Sequence, residues 1–443
     1  MIIHYIPPWH LDNIGHYYTM ETYYSIEQLS NKLSLSQKTI RRHIASGKLN
    51  SYKIGGVYRI NETDIESFLK ANIVNEVGQA TLFPKMGSFK GNVKNRKRAS
   101  KKLDLVNWIE VDDLWDETQK SDLTFIDLFS GAGGITKGFE MAGLQGMYGL
   151  DNYEPAVATH ERNFSHPVFN GDITREDVKT EFVELVERKL NGRKLNIIAG
   201  GFPCQGFSMS GHRIVADPRN NLYMDMLEIV VRLQPDFVVM ENVVGLRSML
   251  GGGVEQKIIK DYQDKEGYSI NVTTLCAADY GVPQKRNRVI FVANKIGATN
   301  HHPKPLVDEL DYRTTRDAIK DLMDTDDDPI FNHVRTRHSD DMTKRIDAVP
   351  EGSSLYSNYS DSWKKCPWDE ASCTIKENHG GVNLHPRRPR TLTAREMARI
   401  QTFPDDFIFE GSKSKQLVQI GNAVPPILAK AIGLAIIKSY ETM

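Results

Sequence analysis

The sequence predicts an α/β protein built on a doubly wound sheet, with a small helical unit ahead of it. Three observations lead there. From Leu123 onward, short apolar runs alternate with amphipathic helical segments, the pattern of repeated βα units. Several runs end on glycine or an acidic residue, where open α/β sheets place their sites. The 443 residues hold two or three domains at roughly 100–200 residues each, and 40% apolar content supplies a sizeable core. No apolar run reaches the roughly 20 residues that span a bilayer. Met1 to Met20 lacks a basic segment followed by an apolar one, so no secretory signal is predicted. Four cysteines without a CxxC pair argue against a disulfide framework or a metal site, and a cytoplasmic setting without membrane contact is expected. The net charge of −1 is unevenly spread.

Residues 20–72 form the first predicted domain. Ser25-Ile26-Glu27-Gln28 fits a capping box opening a helix with Ile26, Leu29 and Leu33 on one face. Ser36 caps a second helix that buries Ile40 and Ile44 and exposes Lys38, Arg41, Arg42 and His43. Gly47 ends it. Tyr52 to Ile60 reads as a hairpin turning at Gly55-Gly56, and a last helix carries Ile65, Phe68 and Leu69. This order resembles the excisionase-like and MerR-like winged helix-turn-helix family, which implies a second helix in the DNA major groove with Lys38, Thr39, Arg41 and Arg42 as contacts. Residues 73–120 read as linker and connector. Lys85 to Lys102 holds eight basic residues and no acidic one, a segment able to neutralise phosphates.

Residues 121–310 form the main α/β domain. Leu123–Phe129 is a strand, Ser130-Gly131-Ala132-Gly133-Gly134 a glycine turn and Ile135–Ala142 a helix. The turn matches neither GxGxxG nor a P-loop. A second strand ends at Asp151 and a third at Gly171-Asp172. Two strand-end aspartates after a glycine turn suit an adenosine-containing cofactor, one acid for the ribose and one for the adenine amino group. The fourth run, Leu195–Ala199, enters Gly200-Gly201-Phe202-Pro203-Cys204 and puts a thiol just past a strand end. Pro203 restricts Phe202 to extended backbone. Phe237–Met240 ends in Glu241-Asn242-Val243, and Arg288–Ala293 is a later strand.

Six segments in order strongly resemble the DNA cytosine-5 methyltransferase family: Asp127–Gly134, Gly201–Gln205, Glu241–Val243, Gln284–Arg288, Arg390–Glu396 with Gln401–Pro404, and Gln419–Pro426. The resemblance spans Asp127 to about Gly433. It implies an S-adenosylmethionine-dependent methyltransferase domain with a small target recognition domain at 311–390, closed by residues 391–443. It also implies transfer of a methyl group to carbon 5 of cytosine in double-stranded DNA. Carbon 5 is a poor nucleophile, and a thiolate adding to carbon 6 converts the ring to an enamine that can attack a sulfonium methyl. The resemblance gives Cys204 as nucleophile and Glu241 as the group on ring nitrogen 3, with Arg286, Arg288 and Gln284 supporting base and glutamate. It gives Phe129, Gly131, Gly133, Asp151, Asp172, Ile173, Pro203 and Asn422 as cofactor contacts. The family often has an aromatic residue after the ribose acid, where this chain has Asn152 followed by Tyr153. The loop from Gln205 to Asn220 reads as a lid over a flipped-out base, with Ser208, Ser210 and Arg219 on DNA.

The interval before Arg390 is polar, with Asn332, His333, Arg335, Arg337, His338, Lys364, Lys365, Lys376 and His379 as possible base or phosphate contacts. Cys366 and Cys373 are too far apart in sequence to suggest zinc. The expected function is protective methylation in a bacterial restriction–modification system, acting as a monomer on DNA beside a separate endonuclease, with possible autoregulation through the helix-turn-helix. A tRNA cytosine methyltransferase or a purely regulatory protein are the alternatives. The recognition interval and the helix-turn-helix favour DNA, and the Cys204, Glu241 and Arg286 set favours an enzyme.

Overall fold

The computed structural model describes residues 23–26, 28–29, 40, 43–44, 47–54, 57–72, 106–111, 114–115, 118, 120–203, 222–357, 363–376 and 382–443. The chain divides into two compact units, Met1–Gly87 and Ser88–Met443.

In the first unit, strands β1 (Tyr23–Tyr24), β2 (Tyr52–Ile54) and β3 (Val57–Asn61) form an antiparallel sheet in the order β1-β3-β2, followed by a helix over Glu62–Asn72. The capping box is reciprocal: the Ser25 amide donates to Gln28 Oε1 at 2.9 Å and the Gln28 amide to Ser25 Oγ at 3.1 Å. Gly47 takes φ +72°, which lets the chain reverse after the second helix. Ile26, Leu29, Ile40, Leu49, Ile60, Ile65 and Phe68 make the core. Two details differ from the sequence reading. β1 adds a strand that two tyrosines alone do not announce. His43 is half-buried rather than exposed, with its ring 4.9 Å from that of Phe68. Lys38, Thr39, Arg41 and Arg42 lie outside the described residues.

The second unit is organised by a seven-stranded sheet. Its strands are β5 (Thr124–Leu128), β6 (Gln145–Asp151), β7 (Val168–Asn170), β8 (Ile197–Gly200), β9 (Phe237–Val243), β10 (Ser269–Cys276) and β11 (Asn287–Asn294). The order is β10-β11-β9-β8-β5-β6-β7. β5 to β9 run parallel, and β11 is inserted antiparallel between β9 and β10. The chain winds outward from β5 to β7, then crosses to β8, so the switch point falls between β5 and β8. The strands read as continuous apolar runs because both faces are covered. Ile126, Leu128, Ile198, Val238 and Met240 enter one core, while Phe125, Ile197, Ala199, Phe237 and Val239 enter the other. β10 went unmarked in the sequence because its alternation is interrupted by Asn and Thr.

The expected connector, 73–120, is partly structure. β4 (Asn107–Ile109) pairs in parallel with β12 (His301–Pro303), and Val111 and Leu114 are buried in the core of the sheet's second face. The Lys430 ammonium, itself buried, caps the Leu114 carbonyl at 3.1 Å.

The closing helix, Pro426–Glu441, lies against the helix Gly134–Met141 that follows the glycine turn. The approach is close enough to require glycine: a Cβ at Gly138 would lie 2.7 Å from the Lys430 amide nitrogen and closer still to the Pro426 carbonyl. Together with the preceding helix, Lys413–Asn422, this stretch has the length and hydropathy of a membrane span, which the sequence reading did not anticipate. Its most apolar window is 83% buried in the core, and the two helices are separate around Ala423–Pro425.

Residues 311–390 carry two short helices, Thr315–Ile319 and Asp340–Asp347. Their core joins Trp368, Ile375 and Val382 to Leu392, Met397, Phe403, Phe407 and Phe409 from the closing segment. That segment is held by buried ions. Arg390 makes a two-pronged pair with Glu396 at 2.8 and 2.7 Å, and Thr393 caps the helix Ala394–Ile400 by sharing that glutamate. The Arg395 guanidinium donates to the carbonyls of Phe331, Pro404 and Phe407.

Candidate active site

The C-terminal ends of β5, β6, β8 and β9 meet at the switch point, and each delivers a residue singled out in the sequence. At the end of β5 the chain turns sharply. Phe129 adopts φ +57°, a left-handed conformation costly for an aromatic residue and tolerated where the surroundings impose it. Its ring packs at the margin of the core that contains Ile173. The glycines that follow have different reasons. Gly131, at φ +52°, faces open space, with nothing within 4 Å of a would-be Cβ. Gly133 would strike the Phe164 ring at 2.7 Å, and Gly134 would strike the Val424 carbonyl. Gly131 therefore leaves room for a ligand, while Gly133 and Gly134 admit neighbouring protein. Asp127, fully buried below the turn, accepts from the Thr136 amide and hydroxyl at 3.2 and 2.7 Å and ties the helix Gly134–Met141 to β5. Burial pushes its carboxyl up to about 7.

Asp151 ends β6. Its Oδ2 accepts from the Gly131 amide and its Oδ1 from the Tyr153 amide, both at 2.8 Å. Burial raises its pKa while these amides pull it down. The aspartate thus fixes the glycine turn as well as lining the space beside it. Tyr153 lies under the Lys415 ammonium at 5.2 Å. Asp172 follows β7. Its Oδ1 accepts from the Thr174 amide and hydroxyl, so an incoming donor would use Oδ2. Asn422 is exposed at the end of its helix, next to the Ala423–Val424 segment that abuts Gly134. An open glycine backbone, two strand-end carboxylates and an aromatic ring fit an adenosine-bearing cofactor.

β8 delivers the thiol loop. Gly200 admits the Leu128 carbonyl, which a Cβ would meet at 2.8 Å. Phe202 is buried, its ring 6.3 Å from that of Tyr223, and its carbonyl accepts from Asn242 Nδ2 at 3.1 Å. Pro203 is exposed at the rim. Cys204, Ser208, Ser210 and Arg219 lie outside the described residues, as does the rest of 204–221. The chain leading to Cys204 is nonetheless fixed: a Cβ at Gly201 would lie 3.1 Å from Glu241 Oε2.

Glu241 lies within β9 rather than after it. Arg288 stands opposite Val243 in the antiparallel register with β11, two residues along from Glu241 on the same face. Their side chains meet diagonally, Arg288 Nε to Glu241 Oε1 at 2.6 Å, and each is only 12% exposed. The register places Oε1 on the arginine and turns Oε2 towards Gly201.

Gln284 and Arg286 are expected to support the base and the glutamate, and the structure shows what holds them in place. Both are fully buried and both grip Ile375. The Ile375 amide donates to Gln284 Oε1 at 2.8 Å, and its carbonyl accepts from Arg286 Nη1 at 2.9 Å. Arg286 Nη2 continues to the Gly421 carbonyl at 2.9 Å, and Gln284 Nε2 to Gln401 Oε1 at 2.9 Å. Burial and the neighbouring Arg288 lower the Arg286 pKa well below the usual range. Gln401, which the sequence reading quoted without a role, donates onward to the Ile420 carbonyl at 2.7 Å. It caps the C-terminal end of the helix Ala394–Ile400, and nothing in its residue type announces this role.

Several possible DNA contacts are interior. Asn332 brackets the Phe409 backbone with both side-chain atoms, His333 is held at Thr393 Oγ1, and the Lys365 ammonium caps the Asp347 carbonyl. Their polarity serves folded carbonyls and amides rather than a ligand. Arg337 remains exposed. Cys366 and Cys373, seven residues apart, bring their sulfurs to 3.8 Å. Among the described residues no cluster of three or more His, Cys, Asp or Glu is placed to hold a metal.

Comparison with known proteins agrees with this arrangement. Residues 123–438 match the C-5 cytosine-specific DNA methylase family, and residues 23–73 match a helix-turn-helix domain. The chain is 37% identical to Type II methyltransferase M1.HphI of Haemophilus parahaemolyticus, over 71% of this chain and 87% of that protein. It is 32% identical to Type II methyltransferase M.DdeI of Desulfomicrobium norvegicum, over 72% and 90%. Among solved structures, a prophage-encoded E. coli protein described as a DNA modification methyltransferase superposes with a TM-score of 0.59 at 26% identity, over 72% of this chain and 100% of that one. The Entamoeba histolytica methyltransferase EhMeth, at 0.52 and 18% identity over 73% and 99%, shares the fold. The chain belongs to the C-5 cytosine-specific DNA methylase family, as a DNA (cytosine-5-)-methyltransferase with an N-terminal helix-turn-helix domain.

Proposed function

We propose that this chain methylates carbon 5 of cytosine within one short double-stranded DNA sequence, through a covalent Cys204 adduct on a flipped-out base. The observation that carries the reading is the Glu241–Arg288 pair, set beside Gly201 three residues before Cys204. Extruding the target cytosine costs a few kcal/mol and brings its ring to the strand ends. The Cys204 thiolate adds to carbon 6. Electron density moves towards nitrogen 3, where Glu241 supplies a hydrogen bond and a proton, and Arg288 orients the glutamate. Bound S-adenosylmethionine supplies a sulfonium methyl as electrophile. Loss of the carbon 5 proton to solvent, return of the nitrogen 3 proton to Glu241 and expulsion of Cys204 Sγ then restore the aromatic ring. Asp151, Asp172, Phe129 and the Gly131 backbone would hold the cofactor, with Ile173, Gly133, Pro203 and Asn422 at its margins. The lid residues Ser208, Ser210 and Arg219 would meet the DNA.

Similarity to Type II methyltransferases supports a protective role in a restriction–modification system; the enzyme would act as a monomer on DNA beside a separate endonuclease. The N-terminal unit supports a second role. Its capping box, Gly47 stop and wing would present Lys38, Thr39, Arg41 and Arg42 to the enzyme's own promoter.

The adduct is tested with duplex DNA in which 5-fluorocytosine replaces cytosine. Fluorine cannot leave as a proton does, so the enzyme should remain bound to DNA through denaturing electrophoresis, and Cys204→Ser should not. A Cys204→Ser enzyme that still forms the denaturant-stable complex would remove Cys204 as nucleophile.

A further inference from the structure

Ile375 lies in the segment expected to recognise the target, and both of its backbone hydrogen-bonding groups are taken by side chains from the segment that precedes β11. Neither contact ends there. Gln284 passes to Gln401, and Gln401 Nε2 donates to the Ile420 carbonyl at 2.7 Å and reaches the Ala423 carbonyl at 3.4 Å. Ala423 and Val424 are the residues packed against Gly134 of the glycine turn, where a Cβ would meet the Ala423 side chain at 3.2 Å. Gln284 and Gln401 are both fully buried, so no water competes for these bonds. A continuous chain of hydrogen bonds therefore runs from the backbone of the recognition region to the segment beside the cofactor turn.

We propose that Gln401 is a positioning residue, and that the Gln284–Gln401 relay couples DNA engagement by the recognition region to cofactor binding. The proposal rests on the reading of the chain as a DNA methyltransferase. An amide side chain suits the task because it accepts at one end and donates at the other, so the relay has a fixed direction: Ile375 donates to Gln284, Gln284 to Gln401, and Gln401 to Ile420. A shift of Ile375 on binding DNA must either carry the Ile420–Val424 segment with it or break a buried bond. Arg286, joining the Ile375 and Gly421 carbonyls, runs beside the relay and preserves part of the coupling when the relay is cut.

Coupling between two ligands is reciprocal, and its factor is separable from the affinity for either alone. The test uses the full-length chain, S-adenosylhomocysteine and a duplex carrying the sequence that the enzyme methylates in cells. The S-adenosylhomocysteine affinity is measured by calorimetry with and without saturating duplex, and the duplex affinity by fluorescence anisotropy with and without S-adenosylhomocysteine. The wild-type enzyme should show the same factor in both directions, at least about fivefold. Gln401→Met, similar in length but unable to accept or donate as an amide does, should cut that factor at least threefold. Looser folding would weaken each binding alone but leave their ratio unchanged. If Gln401→Met does not fold by circular dichroism, Gln401→Glu takes its place: it keeps an acceptor for Gln284 and loses the donor to Ile420, and the same threefold loss is expected. A wild-type factor near one, or a factor that falls less than threefold in the folded variant, overturns the proposal. Failure to find any methylated sequence would instead count against the methyltransferase reading.

Discussion

Replacing Gly138 by alanine tests the helix contact that holds the C-terminal segment onto the glycine-turn helix. The new Cβ would lie 2.7 Å from the Lys430 amide nitrogen, about 0.7 Å inside ordinary contact, with the Pro426 carbonyl and the Ala429 methyl nearer still. Two of these three neighbours are backbone and cannot rotate away, so the helices must part. Overpacking of this kind costs about 1–3 kcal/mol, and the upper half applies here. Alanine's better helix propensity returns roughly 1 kcal/mol. A net loss of about 1.5 kcal/mol should lower the melting temperature by about 3 °C. Gly253→Ala is the control. Its Cβ would meet Leu250 at an ordinary 3.5 Å, so only the helix-propensity gain acts and the melting temperature should hold or rise slightly. Differential scanning calorimetry of both variants decides the matter. A Gly138→Ala enzyme melting within 1 °C of wild type would refute the argument that these helices are packed to the backbone.

Other outcomes follow from the same contacts. Glu241→Gln should lower kcat by roughly 10²–10⁴-fold. Arg288→Ala should do nearly as much, and the double variant should be no worse than the poorer single, as measured by methyl transfer to DNA. Burial holds His160, His302 and His385 neutral, at about 3, 4 and 4, against about 6.5 when unfolded. Their stabilisation is present above pH 6.5 and is lost as pH falls towards 4. Asp127, raised to about 7, acts in the opposite sense over that window, as do Asp151 and Asp225, raised by burial, while His301, His333 and His338, lowered by burial, act with the other histidines. Urea midpoints should therefore drop between pH 6.5 and 4, and a flat profile would contradict this balance. Oxidation with a small disulfide reagent should join Cys366 to Cys373, seen by peptide mass spectrometry as a linkage lacking two hydrogens, because their sulfurs are 3.8 Å apart and Cys373 is partly exposed.

The parallel strands were legible because burial on both faces makes each one a continuous apolar run, and the strand-end acids were legible because each run stops at them. β4 and β10 were not: β4 pairs with β12, far along the chain, and residues such as Asn107 and, in β10, Asn271 carry no strand signal. At the site, residue types revealed chemistry but not direction. Arg286 and Arg288 are two positions apart, yet Arg288 meets a carboxylate and Arg286 meets two carbonyls. The difference is set by Ile375 and Gly421, 89 and 135 residues further along the chain. Polar residues of the 311–390 segment carried little direction for a related reason. A region with little sheet or helix leaves many backbone groups unpaired, and Asn332, His333 and Lys365 are spent on satisfying them or their neighbours.

The central claim is sequence-specific transfer to cytosine carbon 5 by Cys204. The most direct measurement is bisulfite sequencing of DNA from cells expressing the full chain, beside cells expressing Cys204→Ser. Protected cytosines at one short recurring sequence, absent with the variant, are predicted. Protection that persists with Cys204→Ser, or none with the wild-type chain, would contradict the claim.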